Sequence, residues 1–347
     1  MAEPTTTQPA ATQPTPTQPG APAPVVALTG PTACGKSGLA VRLAERFGGE
    51  IVNADSMQVY GDLSILTARP DAAATARVPH HLYGILPAGE PCSAARWRAM
   101  AEAAIAGVHA RGRLPILVGG TGLYLRALLQ GLVHVPEIPA RVRESVRERQ
   151  ARLPPADLHA QLAARDPAMA ARLHATDTQR VARALEVVEA TGRSLADYQA
   201  QPDAPPLAHP VHVIAALPPR GELYRRIESR LVQMVAQGAL AELRDLLDQG
   251  LDPALPAMKA VGVPQLARYL RGAAPYPEAL AAAQAATRRY AKRQITWLRH
   301  QTVRDAASAT FIPAQFSKSL SPVIFNDIRA FLLTTQRSDT SFRNPGA

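Results

Sequence analysis

Val25-Val26-Ala27-Leu28-Thr29-Gly30-Pro31-Thr32-Ala33-Cys34-Gly35-Lys36-Ser37 is the stretch that decides the fold. A short apolar run enters Gly30, and from Ser37 to Phe47 apolar residues recur at helical spacing: Leu39, Val41, Leu43, Ala44 and Phe47. That order predicts strand, glycine-rich loop, helix. Gly30 to Ser37 fits GxxxxGK[ST], in the context this motif requires. Its glycines let backbone N–H groups curl around phosphate oxygens, and the helix that follows directs its positive end at them. Lys36 adds a point charge, and the Ser37 hydroxyl suits a magnesium ion bridging two phosphates. The loop therefore specifies a diphosphate-bearing ligand, with Gly30, Pro31, Thr32, Ala33, Cys34, Gly35, Lys36 and Ser37 as its cradle.

Working outward, Glu50 to Asn53 reads as a second strand and Leu114 to Val118 as a third. The third ends in Gly119-Gly120-Thr121-Gly122 and runs into a helix through Leu125 and Leu129, and Val211 to Leu217 is a later strand. Strands alternating with helices predict an α/β fold, a P-loop NTPase-like parallel sheet flanked by helices. Between Val135 and Pro206 the pattern is helical throughout (Arg141–Arg152, Pro155–Arg165, Thr178–Ala190), so an all-helical insertion divides the core. Glu222 to Gln249 and Pro277 to Arg299 read as two long amphipathic helices. The expected organisation is a disordered leader over 1–24, the core over 25–134 and 207–310, the insertion over 135–206, and a tail over 311–347 to which the sequence assigns no function.

Composition narrows the class. Hydrophobic residues make up 47% and charged residues 19%, ordinary for a globular enzyme. No apolar run approaches the roughly 20 residues that cross a bilayer. Pro, Thr, Gln and Ala fill the N-terminus, unlike a signal peptide. Two cysteines, Cys34 and Cys92, are too few for a disulfide framework or a thiolate metal site. The expectation is a cytoplasmic protein, without a membrane partner and monomeric. A net charge of +10, from 38 Lys and Arg against 28 Asp and Glu, is suited to a polyanionic partner. His80-His81 lacks metal-ligand spacing, and Trp97 and Trp297 fall in helical patterns as core residues.

Asp55 follows the second strand directly, in Asp55-Ser56-Met57-Gln58. Strand C-terminal ends in such a sheet line the ligand crevice, so Asp55 faces what the loop holds, placed to bind magnesium or accept a proton. Thr121 ends the third strand, where its hydroxyl is placed to donate to a phosphate oxygen. A phosphate-transferring kinase and a non-catalytic RNA-binding module are the competing readings. The absence of a further acidic strand end opposes the first, and the Asp55–Thr121 combination opposes the second.

Beyond these residues, Thr67-Ala68-Arg69-Pro70, Leu117 to Tyr124, Asp177 to Val187 and Ala291 to Arg299 complete an ordered series of blocks over about Val25 to Arg304. In this series the chain resembles the tRNA dimethylallyltransferase (tRNA isopentenyltransferase) family, bacterial type. The resemblance implies transfer of a dimethylallyl group from dimethylallyl diphosphate to N6 of adenosine 37 in tRNAs reading codons that begin with U. It implies Mg2+ as cofactor, Asp55 as general base, and Lys36 and Thr121 as stabilisers of the leaving diphosphate, with Arg226 and Arg230 helping to hold it. It also implies contact with the tRNA anticodon stem-loop through Asp55, Ser56, Met57, Gln58, Thr121, Arg143, Gln179, Arg180, Val181, Ala182, Arg183, Lys259 and Gly262. The chain departs from the family pattern at Leu66 and Arg69, and at Val263-Pro264, where an aromatic and a cation are replaced.

Overall fold

In the computed structural model, residues 22–133, 135–200, 205–302 and 308–340 are described. Most of the expected leader therefore lies outside the described residues. Six strands, β1 (Val25–Thr29), β2 (Gly49–Asn53), β3 (His80–His81), β4 (Leu114–Gly119), β5 (Val211–Ala216) and β6 (Ser308–Ile312), form one sheet in the order β3-β2-β4-β1-β5-β6. Every pairing is parallel. β1 therefore lies inside the sheet, between β4 and β5, and its C-terminal end delivers the phosphate loop beside the ends of both neighbours.

Helices α1 (Lys36–Phe47), α2 (Ala72–Arg77), α3 (Ala94–Ala110) and α4 (Gly122–Leu129) belong to the first half of this unit. Five more, α5 (Ala140–Arg152), α6 (Pro155–Arg165), α7 (Pro167–Ala170), α8 (Thr178–Thr191) and α9 (Leu195–Gln199), lie between β4 and β5 in sequence. α10 (Arg220–Ala236), α11 (Ala239–Asp248), α12 (Val263–Leu270), α13 (Tyr276–Trp297) and α14 (Ser321–Thr340) follow β5. The described residues of 1–129 and 208–347 make one compact unit, and those of 130–207 another.

In the sheet unit, alternate strand residues Val26, Leu28, Ile51, Ile116, Val118 and Ile214 are buried with Leu39 and Leu43 of α1 and Ile324 and Ile328 of α14. Elsewhere in that unit, Trp97 of α3 stacks on Tyr124 of α4 at 4.3 Å and donates its Nε1–H to the Asn53 carbonyl at 2.9 Å. The helical unit has its own core of Val146, Leu158, Leu162, Val181 and Leu185. There Arg149 holds both carboxylate oxygens of Glu189, at 2.8 and 2.6 Å.

Two sequence expectations are corrected. Glu222 to Gln249 is not one helix: Gly238 adopts φ +103°, a left-handed conformation, and separates α10 from α11. The core does not give way to a tail at residue 310 either. Ser308–Ile312 pairs with β5 as a sixth strand, and α14 covers the sheet beside α1. His212 of β5 ties these pieces together, contacting Ser308 Oγ at 2.6 Å and Asp327 Oδ2 at 2.9 Å. His80-His81 forms the short edge strand, where His81 Nε2 lies 2.7 Å from Glu50 Oε2.

Candidate active site

Two adjoining cavities open at the C-terminal ends of β1 and β2. The larger, about 700 Å³, is walled by the phosphate loop from Thr32 to Ser37, by Asp55, and by Arg226 and Arg230 of α10. The smaller, about 230 Å³, is walled by Met57, Leu66, Ile227, Leu231, Met234 and Val261, with Lys259, Tyr290 and Arg293 among its polar residues. Thr32, Ala33, Asp55, Thr67 and Arg230 line both. α10 divides them: Glu222, Arg226, Ser229 and Gln233 recur at helical spacing toward the larger space, and Ile227, Leu231 and Met234 toward the smaller. A polar chamber thus meets an apolar one, with Asp55 and Arg230 at the boundary.

Lys36 Nζ donates to the carbonyls of Gly30 and Pro31 at 2.8 and 2.9 Å, which holds the ammonium against its own loop. Gly30 and Pro31 are therefore behind the cavity wall, in the loop's frame. Cys34 is fully buried, its sulfur 3.8 Å from Lys36 Nζ. Ser37 is exposed on the wall, and no hydrogen bond engages its hydroxyl among the described residues. The loop is braced from the C-terminal side as well, where Phe316 N–H donates to the Cys34 carbonyl at 2.9 Å.

Asp55 is held by its neighbours. Its N–H donates to Asn53 Oδ1 at 2.8 Å, and its Oδ1 accepts the Met57 N–H at 2.9 Å. Oδ2 has no hydrogen-bond partner among the described residues. Gln58 Nε2 donates to the carbonyls of Thr67 and Ala68, which folds the Thr67-Ala68-Arg69 turn over the same space. That turn is anchored beneath by Glu242 of α11, whose Oε1 accepts from Ser64 N–H, Ser64 Oγ and Ile65 N–H and whose Oε2 accepts from Leu66 N–H.

Arg226 and Arg230 stand one helical turn apart on α10, and neither forms an ion pair among the described residues. Burial, with Arg226 adding like-charge repulsion, lowers the Arg230 pKa, while Cys34 and Asp55 oppose the shift. Two cations sharing a wall with no ion-pair partner among the described residues make a site that an anion completes. Thr121 follows the end of β4, as its position in sequence implies; it lines neither cavity, and its hydroxyl accepts the Ser56 N–H at 2.9 Å and donates to Ser56 Oγ at 3.2 Å. Its visible work is to fix the Asp55-Ser56 turn.

The remaining sequence candidates divide by position. Ser56, Met57 and Lys259 reach the smaller cavity and Gln58 the larger. Gly262 is buried behind the wall, donating its N–H to Gln265 Oε1 at 3.1 Å. In the helical unit, Val181 and Ala182 belong to the core, so only Gln179, Arg180 and Arg183 of that run present side chains outward. Arg180 pairs with Asp177 at 3.4 Å, Arg183 pairs with Glu186 at 3.0 Å, and Arg143 is half-buried on α5. Tyr290 was not singled out by sequence. Burial and then the charge of Asp55 hold its phenol pKa above the ordinary range, with Thr121 and Arg293 opposing the shift.

Fold and site together define an α/β protein of the P-loop NTPase-like kind, with a phosphate cradle opening onto an apolar chamber. The IPP transferase family model matches residues 58–301, and the isopentenyl transferase model matches residues 23–79. A tRNA dimethylallyltransferase from Rhodospirillum rubrum is 53% identical over 313 residues, covering 90% of this chain and 96% of that one. One from Nitrobacter hamburgensis is 55% identical over 284 residues, covering 81% and 89%. The solved tRNA isopentenylpyrophosphate transferase of Bacillus halodurans has a TM-score of 0.66 at 33% identity, over 91% of this chain and 99% of that one. A eukaryotic dimethylallyltransferase, solved acting on tRNA, has a TM-score of 0.74 at 25% identity, over 89% and 80%. The chain belongs to the tRNA dimethylallyltransferase family and is an enzyme of that type.

Proposed function

We propose that the protein transfers the dimethylallyl group of dimethylallyl diphosphate to N6 of adenosine 37, in the anticodon loop of tRNAs reading codons that begin with U. The carrying observation is that Asp55 lines both cavities at once, where a phosphate-binding wall meets an apolar one. The diphosphate belongs in the larger space, against the loop, Arg226 and Arg230. The dimethylallyl group and the incoming adenine meet in the smaller one.

In this reaction the allylic C1–O bond breaks with its electron pair leaving on the diphosphate, and a bond forms from N6 to C1. The N6 proton passes to the free oxygen of Asp55, giving N6-dimethylallyladenosine and diphosphate. An exocyclic adenine amine is a poor nucleophile, so charge stabilisation on the departing group carries much of the catalysis. Loop N–H groups, Lys36, Arg226 and Arg230 supply it, with Lys36 turning from its two carbonyls toward the ligand. Thr121 serves by holding the turn that bears Asp55. Mg2+, when bound, neutralises developing charge on the diphosphate. The residues fit such an ion: Ser37 offers an unengaged hydroxyl on the wall, and Mg2+ takes most of its other ligands from substrate phosphates and water.

Base extrusion from the anticodon loop delivers the amine, and the basic side chains Lys259 and Arg293, with Tyr290, ring the smaller cavity where it enters. Arg143, Gln179, Arg180 and Arg183 meet the tRNA from the helical unit. This reading makes the protein a cytoplasmic monomer acting on tRNA. Incubation with labelled dimethylallyl diphosphate, Mg2+ and undermodified tRNA carrying A36-A37, with ATP as competitor, tests it. Label enters tRNA as diphosphate is released; phosphate transfer from ATP to a small molecule with unlabelled tRNA overturns the proposal.

A further inference from the structure

Gln294 of α13 is 6% exposed and lines neither cavity. It shares its helix face with buried Ala291, Ile295 and Leu298, where an apolar side chain is the ordinary occupant. Yet both ends of its amide are engaged at a distance in sequence. Oε1 accepts the Thr32 N–H at 2.8 Å, and Nε2 donates to the Gly120 carbonyl at 2.9 Å. The partners fix the amide's orientation, since Thr32 offers only a donor there and Gly120 only an acceptor.

The two contacts join the parts of the site that must stay in register. Thr32 is on the phosphate loop and lines both cavities. Gly120 precedes Thr121, whose N–H donates to the Ala54 carbonyl at 3.3 Å and whose hydroxyl accepts the Ser56 N–H at 2.9 Å. One buried amide therefore links the loop, through the end of β4, to the turn bearing Asp55. The fit is close: a Cβ at Gly120 would stand 2.4 Å from Gln294 Nε2. Burying a primary amide is costly unless both its groups are satisfied, and here both are.

We propose that Gln294 is a positioning residue for the transfer reaction, setting the separation between the loop that takes the departing diphosphate and the turn that carries Asp55. It touches neither substrate. The proposal rests on the reading of the two cavities given above. A misplacement of about 1 Å between reacting groups costs up to ~100-fold in rate, so the effect falls on the chemical step.

The test compares the full-length protein with Gln294→Met and Gln294→Glu, in steady-state transfer from dimethylallyl diphosphate to undermodified tRNA, well below each variant's thermal midpoint. Gln294→Met keeps the side chain's length and removes both hydrogen bonds. Its kcat falls about ten- to 100-fold while the KM for tRNA stays unchanged. Gln294→Glu keeps the acceptor for Thr32 and loses only the donor to Gly120; it serves if the Met variant does not fold, and its kcat falls in the same sense. A purely structural role moves the thermal midpoint and leaves kcat per folded molecule intact. A folded variant keeping kcat within about twofold, or losing activity only through a raised tRNA KM, overturns the assignment. Wild-type protein that transfers nothing strikes the functional reading instead, whereas active wild type with unaffected variants strikes only Gln294.

Discussion

Replacing Arg230 with Met separates the two things this arginine does. In the folded protein its guanidinium is half-buried, has no ion-pair partner among the described residues, and stands one helical turn from Arg226. Met keeps the stem's packing and removes the charge, so the thermal midpoint without added ligand rises. Donor use moves the other way. A charge-assisted hydrogen bond contributes about 1.5–3 kcal/mol, so kcat/KM for dimethylallyl diphosphate falls about ten- to 150-fold. The KM for tRNA is unchanged. Scanning fluorimetry with and without inorganic diphosphate, beside initial rates at varied donor, reads both effects. Diphosphate raises the wild-type midpoint far more than the variant's. A lower midpoint combined with unchanged donor kcat/KM would refute the reasoning, because Arg230 would then be a packing residue.

Three further outcomes follow from the same structure. Arg180→Ala with Arg183→Ala weakens tRNA binding and flattens its salt dependence by up to about two counterions, measured by filter binding across a salt series; an unchanged slope removes both from the interface. Glu242→Gln withdraws one acceptor oxygen from donors at Ser64, Ile65 and Leu66, lowering unfolding free energy by about 1–3 kcal/mol in urea titration. Burial lowers the pKa of His80 and of His109. Their neutral forms therefore stabilise the fold fully above the unfolded value near 6.5, and that contribution is lost as pH falls through the lower folded values. The denaturation midpoint accordingly declines on acidification below about pH 6.5, less steeply in His109→Gln. Glu50, whose pKa Arg111 lowers by hydrogen bonding, adds a second loss below the ordinary carboxylate range.

Local signals carried far in this chain because they were strong where the site is. An apolar run into GxxxxGK[ST] places β1, the loop and α1, and Asp55 could be placed by its position after β2. The helices α5, α6 and α8 were legible within a residue or two, since each has a simple amphipathic period. What escaped depends on distant partners. Ser308–Ile312 is a strand because β5 offers a free edge, and nothing in Ser-Ala-Thr-Phe-Ile announces that partner. The α10–α11 break was masked by a hydrophobic period continuing through Gly238. Strand position places Thr121 at the end of β4, but the bonds between its hydroxyl and Ser56 are visible only in the folded chain. Gln294 left a trace, a polar residue on the apolar Ala291-Ile295-Leu298 face, but only the folded chain shows what its amide joins.

Asp55 at the junction of the two cavities is the centre of the account, and Asp55→Asn addresses it most directly. The variant keeps the turn, because an amide oxygen still accepts the Met57 N–H. The measurement is nucleoside mass spectrometry of digested, position-mapped tRNA after reaction with dimethylallyl diphosphate. Wild type places one dimethylallyl group on N6 of adenosine 37. Asp55→Asn binds the same tRNA with unchanged affinity and transfers about 100- to 10,000-fold more slowly. Transfer at the wild-type rate by Asp55→Asn would contradict the account.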